Sequence, residues 1–529
     1  MSQSIYEAAK AQAAVGMEIA AIAEQAPDRA AIFSELGNLT FSELNGQVNK
    51  LSHLLRSRGF KEGDALALCC SNRPEFVVAS LAAHRLGGRL TPVNWHLSAD
   101  EITYIVQNCE AKAFIADSRV ADKVTEAISD NAFVAVSLSV GGAIDGYESW
   151  DQALTDQPDT NIENPVRGTM MLYTSGTSGR PKGVLRKQPD PEMAAGLQDL
   201  FTMVFQYQPD AGTDRSLVTG PLYHAGPFNL CMMTPLVSGI SIVIMDKWEA
   251  EPSLNLIEQH RITHSFFVPA MFVRLLQLKE SVRQQYDVSS LRFVIHGAAP
   301  CSIETKQAMM DWFGPIIWEM FAGTEGPGTI VSPQDWLAKP GTVGKPGSPE
   351  QIRILDEEGN DLPAGESGRI FMKNPEESRF EYYKDEQKTR DAQYKGYFTA
   401  GDIGYLDDDG YLFLTGRSAE IIISGGVNIY PQEIDDVIAL HPAVADVACV
   451  GVPSDEWGEA VKAVVELKPE VSSTEKLSNE LLDFASARLA RQKLPKSVDF
   501  IETLPRSEAG KVLRRKIRET YWEGIEKKI

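Results

Sequence analysis

The chain has 529 residues, 43% of them hydrophobic and 23% charged, which is the composition of a globular protein. Single cores stop growing near about 250–300 residues, so at least two domains are expected. The formal net charge of −22 argues against a nucleic-acid carrier, which needs a basic face to displace counterions, and against adsorption on anionic membranes.

Met1–Gln25 is alanine-rich but carries Glu and Lys without the ordered basic and apolar regions of a signal peptide. DALALCC (Asp64–Cys70) reads as a buried strand, and PEFVVASLAAHRLGG (Pro74–Gly88) as a helix opened by proline and closed by glycine. RLTPVN returns to a strand. Further strands are expected at Ala113–Ala116, Ser241–Met245, Ser265–Val268 and Phe293–His296, with helices such as Glu101–Asn108 and Ala270–Leu278 between them. Such alternation predicts parallel sheets covered by helices. Gln351–Leu355 and Gly368–Lys373 begin an all-β portion that runs to the hairpin GDIGYLDDDGYLFLTGR (Gly401–Arg417).

The pattern then restarts as a helix from Pro431, strands Ala445–Gly451 and Ala460–Leu467, a helix Thr474–Ala490 and a strand Lys496–Ile501. The expected fold class is therefore α/β. A large N-terminal domain (1–416) has parallel or mixed sheets, flanking helices and a β portion, and a small α+β C-terminal domain spans 417–529. No apolar run approaches the roughly 18 residues of a spanning helix. Cys69, Cys70, Cys109, Cys231, Cys301 and Cys449 form no CxxC pair and are expected to be reduced residues of a cytoplasmic protein.

The sharpest chemical feature is LYTSGTSGRPKGV (Leu172–Val184). Glycines let successive backbone N–H groups point into one concavity, hydroxyls add donors, and Lys182 adds charge, which suits a polyphosphate. It is not a Walker A loop, because Lys182 is followed by glycine. A Ser/Thr/Gly surface turn is the alternative reading, and it loses ground as the run lengthens.

This loop resembles the nucleotide loop of the adenylate-forming superfamily, which includes acyl-CoA synthetases and nonribosomal adenylation domains. Further motifs follow in the family's order. The resemblance implies that Thr174, Ser175, Gly176, Thr177, Ser178, Gly179 and Lys182 hold the ATP phosphates. GAAP (Gly297, Ala298, Ala299) would lie against adenine, with Phe321 of FAGTEG stacking on the base. Thr324 would meet the α-phosphate and Glu325 would hold Mg²⁺. Asp402 in YFTAGDIGYLDDDGY and Arg417 in LTGRSAEIII would bind the ribose. Lys511 in LPRSEAGKVLRR would be the catalytic lysine, which otherwise reads as a solvated charge in a basic stretch. His224 in PLYHAGPFN would sit beside the substrate carboxylate. Ser424, Gly425 and Gly426 would line the pantetheine tunnel of coenzyme A, where they could equally form a hairpin turn.

The implied activity is an ATP-dependent acid–thiol ligase that forms an acyl-adenylate and then an acyl-CoA, with a C-terminal domain that rotates between the steps. Amino-acid-activating relatives carry a Phe-Asp pair where this chain has HAGPFN, so an amine-free acid is expected, a fatty acid ahead of aryl or polycyclic ones. Phe228, Met232, Met233, Phe266, Phe267 and Met271 are candidates for its pocket and equally for ordinary core. The alternative is loading of a separate acyl carrier protein. The expected partners are a carboxylic acid, ATP and coenzyme A, with no nucleic acid and no integral membrane; a homodimer stays open. Two departures stand out: Ala419 occupies the family's usual Asp or Lys hinge position, and Phe321-Ala322 replaces Tyr-Gly. His260 and His264 have helical metal spacing but lack the Glu of HExxH. Trp457 is expected to pack in the ordinary way.

Overall fold

Apolar runs too short for helices become strands buried on both faces. In the computed structural model, which describes residues 4–129, 133–174, 181–187, 190–373, 379–424, 427–454, 457–507 and 510–523, ALALC forms the fully buried strand Ala65–Cys69. Helix Pro74–Arg85 starts with its proline and stops three residues short of the expected Gly88. The chain leaves it through Gly87, whose φ of +70° only glycine adopts freely. Helix Ala99–Asn108 starts two residues earlier than expected, because Ser98 and Glu101 form a reciprocal capping box.

Among the described residues the strands form four sheets. One runs, edge to edge, through Thr329–Val331, Ile317–Phe321, Phe293–Gly297, His264–Phe267, Arg215–Val218, Ser241–Ile244, Ala30–Phe33 and Leu39–Thr40; only its two edge pairings are antiparallel. The second centres on Ala65–Cys69, with parallel neighbours Arg89–Pro92 and Ala111–Asp117. At one edge Lys182–Arg186 adds antiparallel to Thr169–Thr174, and Phe380–Tyr382 adds antiparallel to Lys182–Arg186. Helices Phe41–Ser57 and Pro74–Arg85 share one apolar core with residues of both sheets, including Leu66, Ile242 and Phe293. The third sheet is wholly antiparallel and holds Gly368–Lys373, Asp402–Leu406 and Leu412–Arg417.

Beyond Arg417 a short 3₁₀ turn, Ser418–Glu420, leads to a fourth sheet built on the long hairpin Val444–Ser454 and Gly458–Leu467. Helices Pro431–Ala439 and Glu475–Ser486 cover it and close a separate core around Ile434, Val447 and Leu481. The fold is thus the expected mixed α/β arrangement, with a large sheet-and-helix N-terminal part and a smaller C-terminal one. No helix among the described residues is long and apolar enough to cross a membrane. All six cysteines are free, and all but the half-buried Cys301 are buried.

Candidate active site

Thr174 and Lys182 face each other across an antiparallel pair, so the two ends of the candidate phosphate loop are held as neighbours. Ser175, Gly176, Thr177, Ser178 and Gly179 lie outside the described residues. The next strand over, Phe380–Tyr382, sets Tyr382 opposite Val184. The Lys182 ammonium stands 5.4 Å from the centre of the Tyr382 ring. Partial burial, then Lys388, lowers the Lys182 pKa, while Asp385 and Glu325 pull the other way. Tyr382 Oη donates to Glu325 Oε1 at 3.0 Å. Arg186, two residues beyond Val184 on the same strand face, is largely enclosed and feels the charge of Glu325. Its Nε and Nη2 have no hydrogen-bond partner among the described residues.

The adenine and phosphate candidates follow two adjacent parallel strands, Phe293–Gly297 and Ile317–Phe321, at their carboxyl ends, where open α/β sheets bind ligands. Gly297 cannot carry a side chain, since a Cβ there would lie 2.5 Å from Met320 O. Ala298 is exposed and has a φ of +70°, a strained left-handed conformation for alanine. Phe321, Ala299, Thr324 and Glu325 are half-buried at or just beyond the same strand ends. Magnesium needs one or two protein carboxylates and takes phosphate and water oxygens for the rest. Glu325, fixed by Tyr382, fits that requirement. No group of three or more potential metal ligands occurs among the described residues.

Asp402 pairs in register with Arg417 across the hairpin, and Arg417 Nε donates to Asp402 Oδ1 at 2.8 Å. Burial works against the guanidinium, but Asp402 and Glu420 outweigh it and raise its pKa. His224 sits in the turn before a π-helical stretch, Pro227–Met233. Burial, then the Lys511 charge, lowers its pKa to about 4, so the imidazole is neutral near pH 7. Its Nε2 has no hydrogen-bond partner among the described residues.

Lys511 reaches this group from the C-terminal part. The preceding Gly510, at φ +75°, presses against helix Pro269–Gln277: a Cβ on it would lie 3.2 Å from Ala270 Cβ and 3.3 Å from Val268 Cγ2. The Lys511 side chain is exposed, yet the protein crowded about it, then Arg417, lowers its pKa. Asp402, Glu325 and Glu420 oppose that shift. His224, Glu325, Asp402 and Arg417 are therefore each within electrostatic reach of Lys511, though the sequence spreads the five over 224–511.

Ser424 is elsewhere. It pairs with Val427 and with Gly458 in the small sheet, so the hairpin reading of that turn holds for its ends. Gly425 and Gly426 lie outside the described residues. Beside this turn Ile423, Val427 and Trp457 are 55%, 41% and 44% exposed, so Trp457 does not pack in the ordinary way. His264 is a core strand residue with Nε2 2.8 Å from Phe205 O, which excludes the helical metal spacing. Phe228, Met232, Phe266 and Phe267 are all buried. The sequence reading missed Tyr382 and Arg186. The period-two face of KGVLR could have flagged Arg186; nothing local pointed from Tyr382 to Glu325.

Residues 19–383 match the AMP-binding enzyme family and residues 433–511 the AMP-binding enzyme C-terminal domain. Indoleacetate–CoA ligase of Aromatoleum aromaticum is 31% identical over 503 residues, covering 93% of this chain and 95% of that protein. Long-chain-fatty-acid–CoA ligase FadD13 of Mycobacterium tuberculosis is 30% identical over 489 residues, covering 91% and 93%. Among solved structures, ATP-bound MatB from Rhodopseudomonas palustris is 28% identical with a TM-score of 0.83, covering 97% of this chain and 99% of its own. With both parts of the fold matched in order, the chain belongs to the AMP-binding enzymes of the adenylate-forming superfamily, in the acyl-CoA synthetase branch.

Proposed function

We propose that this chain is an AMP-forming acid–CoA ligase acting on an amine-free, hydrophobic carboxylic acid. The observation that carries the reading is the approach of Lys511 to His224, Glu325, Asp402 and Arg417. Attack of a carboxylate on the α-phosphate brings two anions together and expels pyrophosphate, so catalysis is mainly positioning and charge neutralisation. Lys511 bridges the substrate carboxylate and the α-phosphate as charge moves between them. Thr324 meets the α-phosphate, and Asp402 with Arg417 holds the ribose. Lys182 and the loop residues Thr174–Gly179 hold the outgoing phosphates, and Gly297–Ala299 with Phe321 encloses the adenine. Magnesium held by Glu325 supplies further neutralisation of the phosphates. His224, neutral at physiological pH, stands beside the acid without adding charge.

Thioester formation requires a thiol to reach the acyl carbonyl. Residues 417–529 act as a mobile domain against 1–416, withdrawing Lys511 and bringing in Ser424, Gly425 and Gly426 beside the pantetheine. The exposed Ile423, Val427 and Trp457 next to that turn support this, because the rotated domain would cover them. For the acid, a fatty chain is favoured. Phe201 on the exposed side of helix Pro191–Val204 stacks on Phe205 at 5.8 Å, Phe205 meets Phe293 at 5.2 Å, and Phe293 stacks on Trp318 at 5.2 Å. This aromatic row leads from the surface to the strand that ends in Phe321. One relative is named for long-chain fatty acids and another for indoleacetate, so fatty and aryl acids both belong in the test. Free cysteines throughout fit a reducing cytoplasm.

The test is a panel of fatty, aryl and polycyclic acids assayed with ATP, Mg²⁺ and coenzyme A, with AMP, pyrophosphate and thioester followed separately. Equimolar AMP, pyrophosphate and acyl-CoA with a hydrophobic acid is the expected result. Pyrophosphate release without a CoA thioester would overturn the choice of acceptor and indicate a carrier protein.

A further inference from the structure

Under the adenine-facing segment lies a buried ionic cluster that the reaction scheme does not use. His296 and Glu319 are register partners on the parallel strands Phe293–Gly297 and Ile317–Phe321, so both project to one face of the sheet. Helix Ile303–Phe313 covers that face and sends Lys306 into it. Lys306 Nζ donates to Glu319 Oε2 at 2.7 Å, and His296 Nε2 stands 3.4 Å from the same oxygen. All three side chains are buried. Lys306 also lies 4.8 Å from the centre of the Trp336 ring, and His296 meets the edge of Phe272 at 5.3 Å. Burial lowers the Lys306 and His296 pKa values. Burial disfavours the Glu319 carboxylate, but His296 and Lys306 outweigh it and hold its pKa at about 2.

Two residues beyond His296 the backbone at Ala298 takes its left-handed conformation, which alanine adopts only where the surroundings enforce it. The Ala298 side chain is exposed, so its own packing does not supply that enforcement. The restraint comes from the strand ends, where Gly297 has no room for a Cβ against Met320 O and Glu319 is anchored by Lys306. We infer that Lys306 and Glu319, with His296, are positioning residues for the nucleotide: their buried cluster locks two strand ends so that the strained turn at Ala298 presents its backbone to adenine. This rests on the proposal that Gly297–Ala299 contacts the base.

The test is equilibrium binding of Mg·ATP, and of Mg-tripolyphosphate as a probe of the phosphate side alone. Lys306→Met/Glu319→Met removes both charges together and leaves no uncompensated buried carboxylate or ammonium. Its dissociation constant for ATP should rise about tenfold, with tripolyphosphate unaffected. Adding Ala298→Gly, which accepts a positive φ without strain, should recover most of the loss. Ala298→Val in the otherwise unaltered chain should weaken ATP in the same selective way, and its exposed position spares the core. ATP affinity within about twofold of wild type in the variants, parallel loss of tripolyphosphate, or no recovery with glycine would overturn the inference. A wild-type protein that binds tripolyphosphate but not ATP would instead remove the adenine assignment on which it rests.

Discussion

Glu420 and Arg514 form an ion pair at 3.2 Å that ties the turn after Arg417 to the start of the helix following Lys511. Arg514 also binds Asp435 and the Cys449 carbonyl, so Glu420 is fastened to the C-terminal part. Arg417 is fastened by Asp402 to the N-terminal part. Only Ser418 and Ala419 separate the two anchors, which gives the turn polar support without an acidic or basic residue at 419. Glu420→Ala should loosen the placement of Lys511 and slow ATP–pyrophosphate exchange about ten- to a hundredfold. The apparent ATP affinity should stay, since Asp402–Arg417 is untouched. An unchanged exchange rate would remove Glu420 from the positioning of Lys511.

Tyr382→Phe removes the hydroxyl that holds Glu325 and keeps the ring beneath Lys182. One lost hydrogen bond corresponds to about a two- to tenfold rise in the magnesium concentration needed for half-maximal rate. The KM for the acid should not move. Tyr382→Ala, which also takes the ring from Lys182, should cost more. Wild-type magnesium dependence in Tyr382→Phe would show that the hydroxyl is irrelevant, and equal effects from both substitutions would show that the ring beneath Lys182 is.

The His224 pKa is depressed to about 4 from an ordinary value near 6.5. For a histidine buried neutral, the closed arrangement is fully favoured above pH 6.5 and weakens as pH falls towards 4. Adenylation should therefore show no His224 inflection near neutrality, and wild type and His224→Gln should have pH–rate profiles of the same shape between about pH 5.5 and 8. An acid limb near pH 6.5 in wild type that vanishes in the variant would contradict this.

The elements that the sequence disclosed well are those whose signal is local. Gly368–Lys373 and the helix from Pro431 fall where alternation and a proline start put them. Strand Val444–Ser454 runs three residues past the expected Gly451, because its partner Gly458–Leu467 continues the ladder through Pro453 and Ser454. Long-range geometry was legible only through motif order. That order named Asp402, Arg417 and Lys511, whereas Tyr382 meets Glu325 through a strand pairing that no periodicity encodes. The same limit hid Glu319, which as a single acidic residue in an apolar strand reads as an exposed edge until Lys306 is seen beneath it.

Gly326 has no space for a methyl group. A Cβ there would lie 2.1 Å from Cζ of Phe398, a fully buried ring wedged edge-on against Phe380. Gly326→Ala should destabilise the protein by about 1–3 kcal/mol through overpacking and displace the neighbouring Glu325. Denaturant unfolding would read the first effect and ATP–pyrophosphate exchange the second. Phe398→Leu in the same chain should restore part of both. Unaltered stability in Gly326→Ala would mean that the ring moves aside at no cost.

The most direct test of the central claim separates the two half-reactions in Lys511→Ala. If Lys511 acts on the acyl-adenylate step from the position it holds beside His224 and Arg417, adenylate formation should fall by about 10²–10³. Thioester formation from supplied acyl-AMP and coenzyme A should proceed at the wild-type rate. Equal loss of both half-reactions, or of neither, would contradict the account.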